Sequence, residues 1–347
     1  MEQDKKYISY FDILNIIACF GVVALHVNAK FWNFTGDRRW ITSNIIECVF
    51  YPAVPIFFML TGANLMDYRK RYGTREFFKK RFVKTVIPWL IWSGISLIWA
   101  VFFIHRLAPS DVNNPLKIID AVINSKGNSV YWFFPMLFST YLGIPVISMV
   151  PEDRRNRVFG YIVGTELVCT TILPFICRLL GIQWNDAFTS PICTGALMMT
   201  MLGYMAANNE IPKKWRRIIY ILGICGLFAH ILGTMYVSFK AGDIVNTFKG
   251  YWNVPCMLYT MAIFVFFKYH RFRIPVFNNK KLLRSIAGAS FGIYLIHYYF
   301  IDIFLRLFHT SGESWQWRIF GTFLVYGISL ATVLIIKKIP VLKKIVP

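Results

Sequence analysis

Long apolar segments alternate with short polar ones along the whole chain. Most of these segments approach the ~20 residues that a helix needs to cross the hydrocarbon core of a bilayer. The pattern therefore predicts an all-α, polytopic membrane bundle with about ten transmembrane helices. Segments six and eight are the shortest, and glycine or proline interrupts them. The predicted segments are 10–29, 44–66, 85–105, 130–149, 158–180, 190–206, 216–237, 251–268, 285–308 and 316–336.

Lysine and arginine are concentrated in every second loop. Six stretches hold 27 of the 38 basic residues: 5–6, 69–84, 154–157, 213–217, 268–284 and 337–344. Loops rich in these residues stay on the cytoplasmic side of a membrane. Since the alternation holds at every loop and the number of segments is even, both termini are predicted to be cytoplasmic.

Composition agrees with a membrane protein. The chain has 347 residues, of which 56% are hydrophobic and 16% charged, whereas a soluble protein carries more charge. The net charge of +21 follows from the basic loops, so it predicts a bilayer partner and no nucleic acid.

The seven cysteines form no CxxC and predict neither disulfides nor a metal site. We find no cleavable signal peptide and no appended domain, and we interpret residues 1–347 as one domain.

Three polar side chains, Asp12, Asn15 and His26, interrupt the first apolar segment. His26 follows Asp12 by 14 residues, which is about 21 Å along a helix axis, and therefore lies deep in the bilayer. Histidine is the natural general base near neutral pH. The simpler interpretation is a buried histidine that is hydrogen-bonded to a neighbouring helix.

A second histidine, His297, lies in segment nine. It is 12 residues past Ser285, about 18 Å from the start of that segment. Segments one and nine run in the same direction, so His26 and His297 are predicted to lie at similar depth. They could flank one site. They could equally be unrelated core residues, as His230 in segment seven could be.

Segment two contains Pro52, Pro55 and Gly62, so its helix is predicted to be broken. A broken helix at membrane depth is tolerated where it lines a cavity, although an ordinary kink explains the same residues. Glu47 precedes this break near the outer boundary. It could pair with or orient a histidine, but a solvated carboxylate at a helix end is the interpretation that we favour.

A dense basic stretch leads into segment three. Arg81 and Lys84, with Lys80 beside them, are spaced to share one face at the start of a helix. Such a cationic face at an inner mouth would suit a ligand with several phosphate groups. The same residues could instead only orient the protein and contact anionic lipid.

Five stretches together resemble the membrane-bound acyltransferase-3 family and occur in the family's order. They are YFDILNIIACFGVVALH (10–26), AVPIFFMLTG (53–62), KKRFVKTVIPWLIW (79–92), YWFFPMLFSTYLGIPVI (131–147) and SFGIYLIH (290–297). The resemblance implies a ten-helix membrane enzyme without a fused soluble domain. Such an enzyme takes an acyl group, often acetyl, from cytoplasmic acyl-coenzyme A (acyl-CoA). It passes that group to a hydroxyl of a cell-surface or lipid-linked saccharide.

The resemblance also assigns residues. The family's essential histidine in its first helix matches His26. Asn15 stands where the family commonly has an arginine, and Arg81 and Lys84 stand where it usually has two arginines. Lysine binds phosphate as a point charge, without the two-pronged contact of arginine.

We therefore predict an O-acyltransferase of the cell membrane that uses acetyl-CoA as co-substrate and no metal. Arg81, Lys84, Lys80 and Asn15 are the predicted donor-binding residues. His26 would act as general base or carry the acyl group briefly, with His297 and Glu47 in orienting or acceptor-side roles. Polysaccharide-assembly proteins are candidate partners. The alternatives are a transporter or exporter on the same scaffold, and a membrane protein that only assembles a larger complex.

Overall fold

Ten helices of 14 residues or more occupy the positions of the ten predicted segments in the part of the chain that the structure describes. The structure is a computed structural model that describes residues 8–270 and 279–347, and these contain no β-strand. The basic residues Lys5, Lys6, Arg271 and Arg273 lie outside the described residues. The helices are α1 Ser9–Val27, α2 Arg38–Lys70, α3 Thr74–Phe103, α4 Ser129–Ile147, α5 Glu152–Leu179, α6 Gly195–Asn208, α7 Lys213–Ala241, α8 Val254–Tyr269, α9 Lys280–Leu307 and α10 Trp317–Ile336.

Short helices occupy several of the connections and the segment after α10. They are Ala29–Trp32, Pro109–Val112, Pro115–Ile123, Asp186–Phe188 and Leu342–Lys344. All seven cysteines are free thiols.

Helix length separates eight of the ten from the other two. Within the described residues, eight helices are long and apolar enough to cross a membrane. The remaining two, α6 and α8, have 14 and 16 residues. They span only about 21 and 24 Å, less than the ~30 Å of a hydrocarbon core. These are the two segments that were shortest in the sequence, and each packs along a longer neighbour, α6 against α2 and α8 against α7.

The contact between α2 and α6 depends on two glycines. A Cβ atom on Gly203 would lie 2.1 Å from the backbone oxygen of Met59, and one on Gly62 would lie 1.7 Å from that of Thr200. Small residues let helix backbones approach closely in membranes, where packing replaces the hydrophobic effect between helices. The short α6 is thus held backbone to backbone against the longer α2.

The first helix lies at the centre of the bundle. α1 contacts α2, α8, α9 and α10, and 61% of the residues in its 18-residue apolar stretch are buried in the protein. The corresponding share is 22% for α5 and for α7, so these two are peripheral. Their exposed apolar side chains suit a lipid environment.

A turn divides α2 into two parts. Its first part, Arg38–Phe50, starts at Asp37, whose carboxylate accepts hydrogen bonds from the backbone N–H groups of Arg39 and Trp40. The chain turns at Tyr51 and Pro52, and helix resumes over Ala53–Leu65. Since proline cannot continue the hydrogen-bond ladder, the break falls where the sequence predicts it. The part after the break lines the cavity described below, which is the first of the two interpretations that the sequence left open.

Candidate active site

His26 and His297 lie in direct contact. The Nδ1 atom of His26 is 2.7 Å from the Nε2 atom of His297, and the two rings are stacked with centroids 5.0 Å apart. They meet because α1 and α9 run parallel in a constant register. Asn15 donates to the carbonyl of Ala287 at 2.9 Å, and the two histidines follow with the same offset within one residue. The predicted similarity in depth is therefore confirmed.

The hydrogen bonds of this pair define which ring nitrogen carries a proton. The Nδ1 atom of His297 lies 3.0 Å from the carbonyl oxygen of Ile293. A carbonyl can only accept, so this nitrogen is the donor and Nε2 of the neutral ring is an acceptor. His26 must then donate through Nδ1. Its Nε2 keeps a lone pair, which is the form that a general base needs.

The surroundings of the two rings differ. His297 is fully buried, whereas His26 is partly exposed. Beside His26 lies Tyr298, with ring centroids 6.5 Å apart. The guanidinium of Arg106 is 5.8 Å from the Tyr298 ring and donates to the carbonyl of Gly127. His26 is thus the member of the pair that a molecule could reach from the end of the bundle where Tyr298 and Arg106 lie.

A cavity of about 540 Å³ lies between α1, α2, α3, α4 and α9, toward the end of the bundle that carries the basic loop before α3. Its size falls within the range of small-molecule sites. Apolar side chains alternate with a similar number of polar and charged ones along the wall. The polar and charged lining residues are Asp12, Asn15, Thr61, Asn64, Arg81, Tyr141, Arg284, Ser290 and Tyr294.

The cavity points toward the histidine pair but ends before it. Along α9 its lining runs from Arg284 to Tyr294, about 15 Å. The ring of Tyr294 lies 5.8 Å from that of His297, and its hydroxyl donates to the carbonyl of Val130. Tyr294 therefore separates the cavity from the two histidines.

Of the four predicted donor-binding residues, two line this cavity. Asn15 contributes from α1 and Arg81 from α3. Lys80 and Lys84 are not part of the lining. The ammonium of Lys80 lies 3.8 Å from Glu76 and 4.0 Å from the Tyr72 ring, and Lys84 is exposed.

Arg81 and Lys84 therefore do not both line the cavity. The residues Phe82–Val86 form a π-helical turn, whose wider winding separates positions that an α-helix would bring to one side.

Glu47 is not the solvated carboxylate that we favoured. It is 2% exposed. Its Oε1 atom accepts from the ammonium of Lys249 at 3.0 Å, and Oε2 accepts from Asn28 at 3.4 Å. Asn28 follows His26 by two residues, so Glu47 holds the end of α1 rather than a histidine.

His230, the other intramembrane histidine, stands apart from the pair. It is fully buried and meets the Tyr51 ring edge-on, with centroids 5.5 Å apart. Among the described residues, no group of three or more His, Cys, Asp or Glu side chains could hold a metal ion.

Several residues at these sites escaped the sequence analysis. Lys249 is a lone lysine beside an apolar segment, a signal that marks a paired or functional charge. Tyr294 lies one turn before His297. Arg284 was counted only as a cytoplasmic charge, and Tyr141 carried no signal that would distinguish it from other aromatic residues of α4.

The fold and the site define a multi-pass membrane protein with a hydrogen-bonded pair of histidines beyond the end of an internal cavity. Residues 8–336 match the acyltransferase-3 family, whose description is an acyltransferase domain. The chain therefore belongs to this family and is an acyltransferase of groups other than aminoacyl groups. Family membership favours the enzyme over the transporter and over the purely assembling partner. Comparison with curated proteins and with solved structures gave no match.

Proposed function

We propose that the protein transfers an acyl group, acetyl in the simplest case, from cytoplasmic acyl-CoA to a hydroxyl of a cell-surface or lipid-linked saccharide. The membrane would be the cell membrane, with the basic loops on the cytoplasmic side. The observation that carries this proposal is the 2.7 Å contact of His26 with His297 beyond the end of the cavity.

The donor would enter the cavity from the end that carries Arg81. Guanidinium groups bind phosphate oxygens through paired hydrogen bonds, and the apolar side chains of the wall suit a flexible acyl-bearing chain. Arg284 and His297 are 13 residues apart on α9, about 20 Å. A long, narrow ligand such as coenzyme A, with its phosphates at one end and its thioester at the other, fits this arrangement. The thioester has to pass the ring of Tyr294 to reach His26.

The acceptor would approach His26 from the opposite end, where this ring is partly exposed beside Tyr298. The Nε2 atom of His26 removes the proton from the acceptor hydroxyl as its oxygen bonds to the thioester carbonyl carbon. The carbon–sulfur bond then breaks, and the departing sulfur takes the proton from His26. An ester and free coenzyme A result. Polysaccharide-assembly proteins would present the acceptor.

The test follows radiolabelled acetyl from acetyl-CoA into saccharide of membranes that contain the protein. His26→Ala removes the base, and positioned acid–base groups contribute typically 10²–10⁴-fold. Label transfer should fall by at least about 10²-fold. His230→Gln is the matched control, since it alters a fully buried histidine outside the pair, and it should retain transfer. Unchanged transfer in a folded His26→Ala variant would exclude this mechanism.

A further inference from the structure

The mouth of the cavity carries two guanidinium groups from different helices. Arg81 belongs to α3 and Arg284 to α9, and both are part of the lining. The carboxylate of Asp12 also lines the cavity, so two positive groups stand against one negative group. An anionic ligand would be attracted to this end of the cavity.

Arg81 has a hydrogen-bond donor that a ligand could use. Its Nε atom is buried and has no hydrogen-bond partner, and the same holds for the hydroxyl of Ser290 deeper in the cavity. The Arg81 guanidinium lies 5.8 Å from the ring centroid of Tyr141, which also lines the cavity. Buried polar groups without partners are rare and commonly mark the place of a ligand, ion or water. The arrangement is thus suited to receive acceptor oxygens.

Arg284 lies at the entrance of the same cavity. It is the fifth residue of α9, is exposed to solvent and lies six residues before Ser290. This spacing corresponds to about 9 Å along the helix. A phosphate group bound between Arg81 and Arg284 would leave the remainder of a ligand to extend past Ser290 toward Tyr294.

We propose that Arg284 is the second phosphate-binding residue of the acyl donor site, acting with Arg81, and that Lys84 and Lys80 are not. This inference rests on the proposed use of an acyl-CoA donor. Two arginines can each grip phosphate oxygens with a planar fork, which a lysine cannot do. The pair of basic groups needed for a diphosphate is therefore built from two helices instead of one basic run.

The test measures equilibrium binding of coenzyme A to the purified full-length protein by titration calorimetry. Arg81→Ala and Arg284→Ala should each weaken binding by at least about tenfold, since hydrogen bonds to charged groups are involved. The affinity of Arg284→Lys for coenzyme A should lie between that of the alanine variants and that of the parent. Lys84→Ala is the matched control, because it removes an exposed charge from the same basic stretch, and its affinity should stay within about twofold.

Acetyl-pantetheine, which has no phosphate group, provides a second probe. Its turnover should be the same for Arg284→Ala and for the parent, which also shows that the variant is folded. Unchanged affinity of Arg284→Ala for coenzyme A would overturn the inference, and so would a larger loss in Lys84→Ala. If the parent protein fails to bind coenzyme A at all, the proposed donor is wrong and the inference falls with it. The two failures are therefore distinguishable.

Discussion

At the scale of single residues, the proposed chemistry depends on the position of one proton. The carbonyl of Ile293 holds the proton of His297 on Nδ1, and His297 in turn holds that of His26 on Nδ1. A histidine acts as base only through the nitrogen that lacks a proton. In the proposed mechanism, His297 is therefore a positioning residue for His26, which it serves by accepting a hydrogen bond.

Replacing His297 tests this role. In His297→Phe, the Nδ1 proton of His26 loses its acceptor, and kcat should fall by about 10²-fold, at the lower end of what acid–base assistance contributes. In His297→Gln, an amide oxygen can accept the same hydrogen bond, so a substantial part of kcat should remain. The KM for acetyl-CoA should stay unchanged in both, because the proposed phosphate contacts of the donor lie at the other end of the cavity, at Arg81 and Arg284. Steady-state kinetics of the two purified variants provide the measurement, and equal loss in both would contradict an accepting role.

A second buried group shows what a sequence cannot reveal about a single residue. Glu47 and Lys249 are 202 positions apart, yet each is almost fully buried and the two form an ion pair. The Lys249 ammonium also lies 3.5 Å from the ring centroid of Tyr51. Burial lowers the pKa of Lys249, and the Glu47 carboxylate opposes this decrease. From the sequence alone, a carboxylate near a helix boundary is expected to be solvated, because the distant residue that pairs with it cannot be identified.

At the scale of helices, the close crossing of α2 and α6 can be tested with one added methyl group. Gly203→Ala places a Cβ against the backbone of Met59, which cannot move aside as a side chain could. Overpacking of this kind costs typically about 1–3 kcal/mol. We expect a clear decrease in thermal stability of the detergent-purified protein.

Gly164→Ala in α5 serves as the matched control. A Cβ at that position would have no neighbour within 4 Å. Alanine is preferred over glycine in helices by roughly 0.5–1 kcal/mol, so this variant should be as stable as the parent or slightly more stable. Equal stability of the two variants would mean that the helices do not approach as closely as the structure shows.

The helices also show how much of the fold can be predicted from hydropathy. Ten segments were predicted, and ten helices of 14 residues or more lie at those positions in the described part of the chain, because each apolar stretch must satisfy its backbone hydrogen bonds internally. The segments of α6 and α8 were the shortest predicted and their helices are slightly shorter still, whereas α2, α3 and α7 extend well past their predicted apolar segments into polar residues. An apolar stretch reveals nothing about neighbours, and a helix covered by longer helices can be shorter than the bilayer. For the site, similar depth allowed the two histidines either to flank one site or to be unrelated core residues, and only the structure shows their contact. That Arg284 lines the same cavity as Arg81 depends on helix packing, which the sequence does not show.

At the scale of the whole molecule, function and orientation are linked. Coenzyme A is available in the cytoplasm, so the proposed donor cavity has to open on that side. The alternating basic loops predict this orientation. The cavity carries Arg81 and Arg284, which belong to two of these basic stretches. The charge pattern and the proposed donor cavity therefore require the same orientation of the protein in the membrane.

This demand can be tested with cysteines at opposite ends of the bundle. Asn113, near the start of the short helix Pro115–Ile123, and Asp153, at the start of α5, are both exposed. In intact cells, a membrane-impermeant maleimide should label Asn113→Cys but leave Asp153→Cys unlabelled until the membrane is permeabilised. The parent protein gives the background from its own seven cysteines. The opposite labelling pattern would mean that Arg81 and Arg284 lie on the side of the membrane away from the cytoplasm. Cytoplasmic acyl-CoA could then no longer be the donor.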